Sequence, residues 1–318
     1  MRGGRRVQLV PVVALALAVA ASAGDPVPLG PEFRVDEEPP AYYVAPSRPD
    51  VAAGAAGNFV VTWWGADATT NYGAFARPFD HAGTPLAGDL LLSSPPNAAF
   101  YPSVAADADG DFVVVWNDDP DAVAGYFIKG RRVSAVGVVQ GTEFTVSSVS
   151  YYEYEPRAAS APAGEFVVVW DDFEYGSYPN QFTIQGRRYD ADGMAVDVAF
   201  PIEPDGTSRQ VGPQIGMDAD GDFVVVWLDY QPFLTPSVIR AQRHDATNTP
   251  VGGQFVVTTD AYSSYSNDGR LPAVAMNDGG AFVVVWETES LQRCPRLALS
   301  PTRKAPCPPR AAERRVRT

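Results

Sequence analysis

Five times along the chain an apolar run closes on a tryptophan: FVVTW at 59–63, then FVVVW at 112–116, 166–170, 223–227 and 282–286. Polar residues do not alternate with apolar ones inside these runs, so each predicts a strand buried on both faces. The surroundings repeat as well. A proline stands ten residues before each Phe (Pro49, Pro102, Pro156, Pro213, Pro272), and a glycine stands two before it (Gly57, Gly110, Gly164, Gly221, Gly280). Successive Phe positions are 53, 54, 57 and 59 residues apart. Fixed offsets kept in five copies identify one repeated structural unit.

Each unit reads as four short strands. The first is EFxV-like (residues 32–35 and 143–146), the second follows the proline (PSVAA at 102–106), and the third is the Phe-to-Trp run. The fourth is IxGRR-like: IKGRRV at 128–133, IQGRRYD at 184–190, IRAQRHD at 239–245 and the looser AFARPFD at 74–80. No stretch of the body shows helical periodicity over eleven residues. A β-sandwich would leave alternating polar faces and would not repeat so regularly. The expectation is therefore an all-β fold, a β-propeller of about five four-stranded blades. Counted this way, residues 32–35 open the first unit and the fifth unit lacks its last strand, so the last blade is incomplete. The pairs Arg131–Arg132 and Arg187–Arg188 recur with the fourth strand and read as charges that keep sheet edges from pairing.

The unit P-x-V-A-x-D-x-D-G-D-F-V-V-V-W, followed by a G-R-R/Q-R-[FY]-D strand, is similar to the FVVVW-type repeat of secreted bacterial surface proteins, which are mostly uncharacterised. The resemblance covers about residues 30–290. It implies a propeller-like extracellular repeat domain, often part of a larger adhesive or calcium-associated protein. It brings no catalytic residues with it.

The stretch DADGDFVVVW occurs at 107–116 and again at 218–227. Its aspartates, Asp107, Asp109, Asp111, Asp218, Asp220 and Asp222, are the candidate metal ligands. Calcium requires about six oxygen ligands and an EF-hand loop places its glycine sixth, whereas here the glycine is fourth. The other units carry Gly54, Ala161 and Asn277 where Asp107 and Asp218 stand, yet keep the glycine. The stretch therefore reads first as a hairpin, with Asp109-Gly110 and Asp220-Gly221 as two-residue type I′ turns. Calcium in units two and four is the second reading.

In an antiparallel meander the two longer loops of every unit emerge on one face. That face gathers Tyr42, Tyr43, Phe100, Tyr101, Tyr151, Tyr152, Tyr154, Tyr262 and Tyr265. Acids two residues after the tryptophans join them, at Asp118, Asp172, Asp229 and Glu289, with Asp119, Asp121, Asp171 and Glu174 nearby. Loops on a rigid scaffold are the usual place for binding. Asp118, Asp172, Asp229, Tyr43, Tyr101 and Tyr152 are accordingly the candidate ligand contacts, and tyrosines among carboxylates suit a glycan, a cation or a basic peptide. Catalysis has no local motif: neither G-x-S-x-G nor H-E-x-x-H is present. Of the two histidines, His81 lies in a turn and His244 fills a strand slot occupied elsewhere by Phe79, Val133 and Tyr189.

Charge divides the chain into three. Residues 1–23 carry +3 and residues 291–318 carry +7, leaving −24 for residues 24–290 of a chain whose net charge is −14. A body this acidic repels nucleic acid and anionic membranes and favours cations, basic proteins or neutral glycans. Residues 1–23 run from MRGGRR through an apolar core to Ala21-Ser22-Ala23, the pattern of an export signal cleaved near Ala23. No apolar run reaches membrane-spanning length. The expected location is secreted, cell-surface or periplasmic. The only cysteines, Cys294 and Cys307, sit in the Pro/Arg-rich tail 291–318 and staple nothing in the body. That tail has no strand pattern and reads either as a disordered basic segment or as a shifted reading frame. On this evidence the expectation is a non-catalytic surface binding or adhesion module. The alternatives are a glycoside-cleaving enzyme that uses paired carboxylates on the propeller scaffold, or a structural segment of a larger surface protein.

Overall fold

Each Phe-to-Trp run folds as the second strand of an antiparallel meander, because both of its neighbours in sequence turn back onto it. In the computed structural model the described residues are 33–36, 47–66, 72–120, 125–147, 152–174, 181–203, 209–230, 237–261, 271–289 and 312–317. Blade one comprises β1 (Ser47–Ala53), β2 (Phe59–Gly65), β3 (Gly73–Phe79) and β4 (Leu90–Leu91). Blade two comprises β5 (Ala98–Ala106), β6 (Phe112–Asp119), β7 (Phe127–Val133) and β8 (Val139–Thr145). Blade three comprises β9 (Tyr152–Ser160), β10 (Phe166–Glu174), β11 (Gln181–Tyr189) and β12 (Phe200–Pro201). Blade four comprises β13 (Arg209–Met217), β14 (Phe223–Tyr230), β15 (Ser237–His244) and β16 (Pro250–Ala261). Blade five has β17 (Ala273–Met276), β18 (Phe282–Glu289) and β19 (Ala312–Arg317), and touches blade four's sheet through the single pair Ala261–Thr288. The protein is an all-β propeller, and among the described residues its last blade has three strands.

The phase of the repeat differs from the sequence-based reading. The EFxV strand does not open a unit. It closes the preceding one: β8, which contains Glu143-Phe144-Thr145, pairs with β7. The cause is a hairpin at Ser134–Val138, where Ser134 N–H bonds to Val138 O and Gly137 adopts φ 81°. Within the tail, Ala312–Arg317 pairs antiparallel with β18 along its length, and residues 291–311 lie outside the described residues.

The unbroken apolar runs are explained by packing. Phe112, Val114 and Trp116 face blade one, whereas Val113 and Val115 face blade three. Blades three and four repeat this division with Phe166, Val168, Trp170 against Val167, Val169, and Phe223, Val225, Trp227 against Val224, Val226. A strand sandwiched between two neighbours has no polar side to offer. In blades one, three and four the Phe that opens the run stacks on the residue closing the next strand: Phe59 on Phe79 at 5.0 Å, Phe166 on Tyr189 at 4.7 Å and Phe223 on His244 at 4.9 Å.

Two sequence-based assignments are corrected. The DADG hairpins are not two-residue type I′ turns: Gly110 (φ 83°) and Gly221 (φ 84°) have positive φ but the preceding aspartates do not. Asp107 N–H bonds to Asp111 O, and Gly110 N–H to Asp107 O, which is a three-residue loop, a type I turn followed by a left-handed glycine. A Cβ on Gly110 would run into the Asn58 side chain, which donates to Gly110 O at 3.1 Å. Gly110→Ala is therefore expected to destabilise by about 2–3 kcal/mol, from left-handed strain plus a lost hydrogen bond, read as a shifted urea midpoint.

The recurring arginines are not edge guards either. Arg77 Nη1 donates to Val35 O, Arg131 Nη1 to Leu92 O and Arg187 Nη1 to Val146 O, at 2.8, 3.2 and 2.7 Å. The latter two carbonyls lie at the outer margin of the preceding blade, so these residues tie one blade to the next. Val35 accepts the same bond for blade one, and Phe33 packs on Phe79 at 5.6 Å much as Phe144 packs on Tyr189 at 5.3 Å. Residues 33–36 thus meet blade one as an outer strand meets its successor.

His244 is a strand residue, 1% exposed, and neither ring nitrogen has a hydrogen-bond partner. Burial pulls its pKa down to about 4. The unfolded chain takes up this proton near pH 6.5 and the folded chain only near 4, so stability is lost as pH falls through that interval. His244→Phe, the residue at the sister position Phe79, removes the loss. The variant is expected to gain about 2 kcal/mol on the wild type between pH 7 and pH 4, measured by paired denaturation curves.

Candidate functional site

The repeated proline marks a β-bulge. Pairing along the first strand of blades one to four slips at Ser47–Asp50, Phe100–Ser103, Tyr154–Arg157 and Val211–Gln214. At each slip the residue before the proline has positive φ: Arg48 at 48°, Tyr101 at 53°, Glu155 at 50° and Gly212 at 62°. For a residue bearing a Cβ this costs about 1–3 kcal/mol and is usually retained where it serves a site. Bulges re-aim side chains. Here the bulges, together with Leu271 ahead of Pro272, line a cavity of about 790 Å³ walled by the first strands of all five blades. That volume is within the range of small-ligand sites.

The bulged amides are capped from the preceding blade. Asn117 Oδ1 accepts from Glu155 N–H at 3.2 Å, and the Asp171 oxygens accept from Gly212 N–H at 3.0 and 3.1 Å. Asn117 and Asp171 occupy the same position, one after the tryptophan, and both are buried. An amide therefore suffices for the cap, and the carboxyl of Asp171 is an addition to it.

Two acidic side chains meet in this wall. Glu155 Oε1 forms an ion pair with Arg48 Nη1 at 2.8 Å, and the Arg48 guanidinium lies 4.3 Å from the Tyr101 ring centre. Burial pushes the Asp171 carboxyl well above the usual carboxylate range, and the negative charge of Glu155 adds to that. The Gly212 amide and Arg157 oppose the rise without cancelling it. A carboxyl whose pKa is raised beside one that is ion-paired is the arrangement by which environment assigns acid and base roles.

The residues singled out in the sequence are distributed differently. Tyr101 lines the cavity, as does Tyr154. Asp118 is 1% exposed and pairs with Lys129 Nζ at 2.9 Å and Asn97 Nδ2 at 2.8 Å. Asp229 is equally buried and pairs with Arg240 at 2.7 Å. Both acids bind blade strands together rather than facing a ligand, which corrects their assignment. Asp172 is half-buried at the same position of blade three and is not in the cavity wall. Tyr152 is part of β9, and Tyr43 lies outside the described residues.

The six aspartates of the two DADGD stretches serve the hairpins. Asp107 Oδ1 accepts from Asp111 N–H, Asp218 Oδ1 from Asp220 and Asp222 N–H, Asp111 from Ala135 N–H and Asp222 from Ala246 N–H. Asp109 and Asp220 are the exposed turn residues. Among the described residues no three His, Cys, Asp or Glu side chains gather as a metal site. Sequence reasoning missed Arg48, Glu155 and Arg157. For Arg48 and Glu155 the signal was the position before the repeated proline, which holds five different residue types, Arg, Tyr, Glu, Gly and Leu; Arg157 follows that proline.

No family model and no curated protein matches the chain. Solved structures do. The α-L-arabinofuranosidase arb93a of Fusarium graminearum, solved with an iminosugar inhibitor, aligns at TM-score 0.53 and 13% identity over 77% of this chain and 76% of its own. The α-L-arabinanase of Penicillium chrysogenum, complexed with arabinobiose, aligns at TM-score 0.51 and 14% identity over 79% and 78%. The expectation of a non-catalytic chain is corrected by these findings: the fold is one on which glycan-cleaving enzymes are built, and its axial cavity contains two buried acids.

Proposed function

We propose that the protein is a carboxylate-dependent glycoside-cleaving enzyme whose active site is the axial cavity. The observation that carries this reading is Asp171, a buried carboxyl in the cavity wall where its sister position performs the same cap with Asn117; burial and the charge of Glu155 raise its pKa well above the usual carboxylate range. Asp171 donates its proton to the leaving glycosidic oxygen as the bond breaks, and Glu155 presents its charge to the oxocarbenium-like centre that forms. A water then adds to that centre and gives up its proton to the Asp171 carboxylate, which restores the acid. Arg48 holds the Glu155 carboxylate in place, and Arg157 stabilises Asp171 once its proton has left. The export-type segment at residues 1–23 suits a polymeric substrate outside the cell. The enzymes named above act on arabinose-containing substrates, which makes arabinofuranosides and arabinans the first to try.

The test incubates the protein with aryl glycosides and neutral polysaccharides and measures released aryl alcohol and reducing ends. Product from at least one substrate is expected. Retention of a glycan without any product would replace the enzyme with a binding module.

A further inference from the structure

We propose that the aromatic rings at the cavity's edge on blades one to three form a stacking platform for a neutral sugar chain that extends from the axial site. The inference rests on the glycoside-cleaving reading for what lies in the cavity, and on separate observations for the platform itself. Tyr101 and Tyr154 belong to the cavity wall. From Tyr101 the rings continue outward to Trp64 at 6.3 Å and from Trp64 to Tyr72 at 6.0 Å. Phe100 joins Trp64, Tyr72 and Tyr126 at 5.2, 5.4 and 6.3 Å, and Tyr126 leads back to Tyr154 at 5.4 Å. The rings form one connected band that begins and ends at the cavity.

Trp64 stands at a position that varies between blades, with Leu228 in blade four. At its position, one after the blade tryptophan, blades two and three use Asn117 and Asp171 to cap the next bulge. Blade one gives up that polar group for an indole. The outermost ring, Tyr72, is 38% exposed, so the band reaches the surface. Elsewhere the aromatic pair Phe173–Phe182 is covered by Arg209, whose guanidinium lies 4.2 Å from the Phe182 ring centre. Among the described residues the platform therefore lies on one side of the axis, which gives a bound chain a direction. Flat apolar rings with polar tips suit the C–H faces and hydroxyls of sugars. The charge of −24 on residues 24–290 selects against acidic polysaccharides.

The test is native affinity electrophoresis of the full chain carrying Asp171→Asn, so that substrate is not consumed. The gels contain arabinan, xylan, galactan or polygalacturonate. Retardation by at least one neutral polymer and none by polygalacturonate is expected. Adding Tyr72→Ala or Trp64→Phe should weaken that retardation about tenfold. Tyr72 is the safeguard against a folding effect, since its exposed ring contributes least to packing. No retardation by any neutral polymer, or retardation indifferent to both substitutions, overturns the platform. The two readings separate cleanly. If Trp64- and Tyr72-dependent binding accompanies a wild type that cleaves nothing, the platform stands and the enzyme falls. If an active wild type shows indifferent variants, the reverse holds.

Discussion

Asp171→Asn is expected to lower glycoside cleavage by about 10²–10⁴-fold while the protein remains folded. The loss is that of a positioned proton donor. The fold survives because Asn is what blade two already uses: Asn117 caps the Glu155 amide in the place where Asp171 caps Gly212. The variant should also differ in its pH dependence of stability. The folded-state pKa of Asp171 is raised above its unfolded value, so the wild type is relatively stabilised at low pH and loses that contribution as pH rises through the folded pKa. The variant lacks this loss, and its denaturation midpoint should gain on the wild type with rising pH. Activity equal to the wild type would remove Asp171 from the chemistry. Unfolding of the variant would show instead that the carboxyl is needed for the cap.

Trp170→Ala is expected to destabilise the protein by about 3–5 kcal/mol. The indole is 2% exposed and fills the interface between blades two and three, against Val113, Val115 and Ile128. Truncation leaves a cavity that β6 cannot close, because its other face is already committed to blade one. Against a typical stability of about 5–15 kcal/mol the loss is large. Val198→Ala serves as the control. Val198 is 81% exposed and its replacement should change stability by no more than about 0.5 kcal/mol. A Trp170 variant that melts with the wild type would contradict the alternating division of Phe-Val-Trp and Val-Val faces between neighbouring blades.

That division was readable in the sequence, because a run with no polar residue admits only a strand covered on both sides. The blade number was readable for the same reason. What escaped was the phase. EFxV lies close in sequence to the following unit, and only the Ser134–Val138 hairpin shows that it turns back. The arginines were misjudged because their charge was visible and their partners, backbone carbonyls of another blade, were not. The site was misjudged through a similar bias. Acids in loops drew attention, yet Asp118 and Asp229 are buried in ion pairs with Lys129 and Arg240. Glu155 passed unnoticed beside Pro156, since a single sequence does not reveal that the proline marks a bulge and that the bulge directs the preceding residue to the axis. Asp171 was seen as one acid among several. Its distinction is that it is buried close to Glu155, which becomes visible only when blade three folds.

The central claim is that the axial cavity contains a protonated carboxyl next to an ion-paired one. Carbon-13 NMR of the aspartate carboxyl carbons, recorded for the wild type and Asp171→Asn across the pH range, tests it most directly. The resonance lost in the variant identifies Asp171. The account expects that resonance to titrate well above the usual carboxylate range, and to move down when Glu155→Gln removes the neighbouring charge. A resonance that titrates at the ordinary value near pH 4, unmoved by Glu155→Gln, would contradict it.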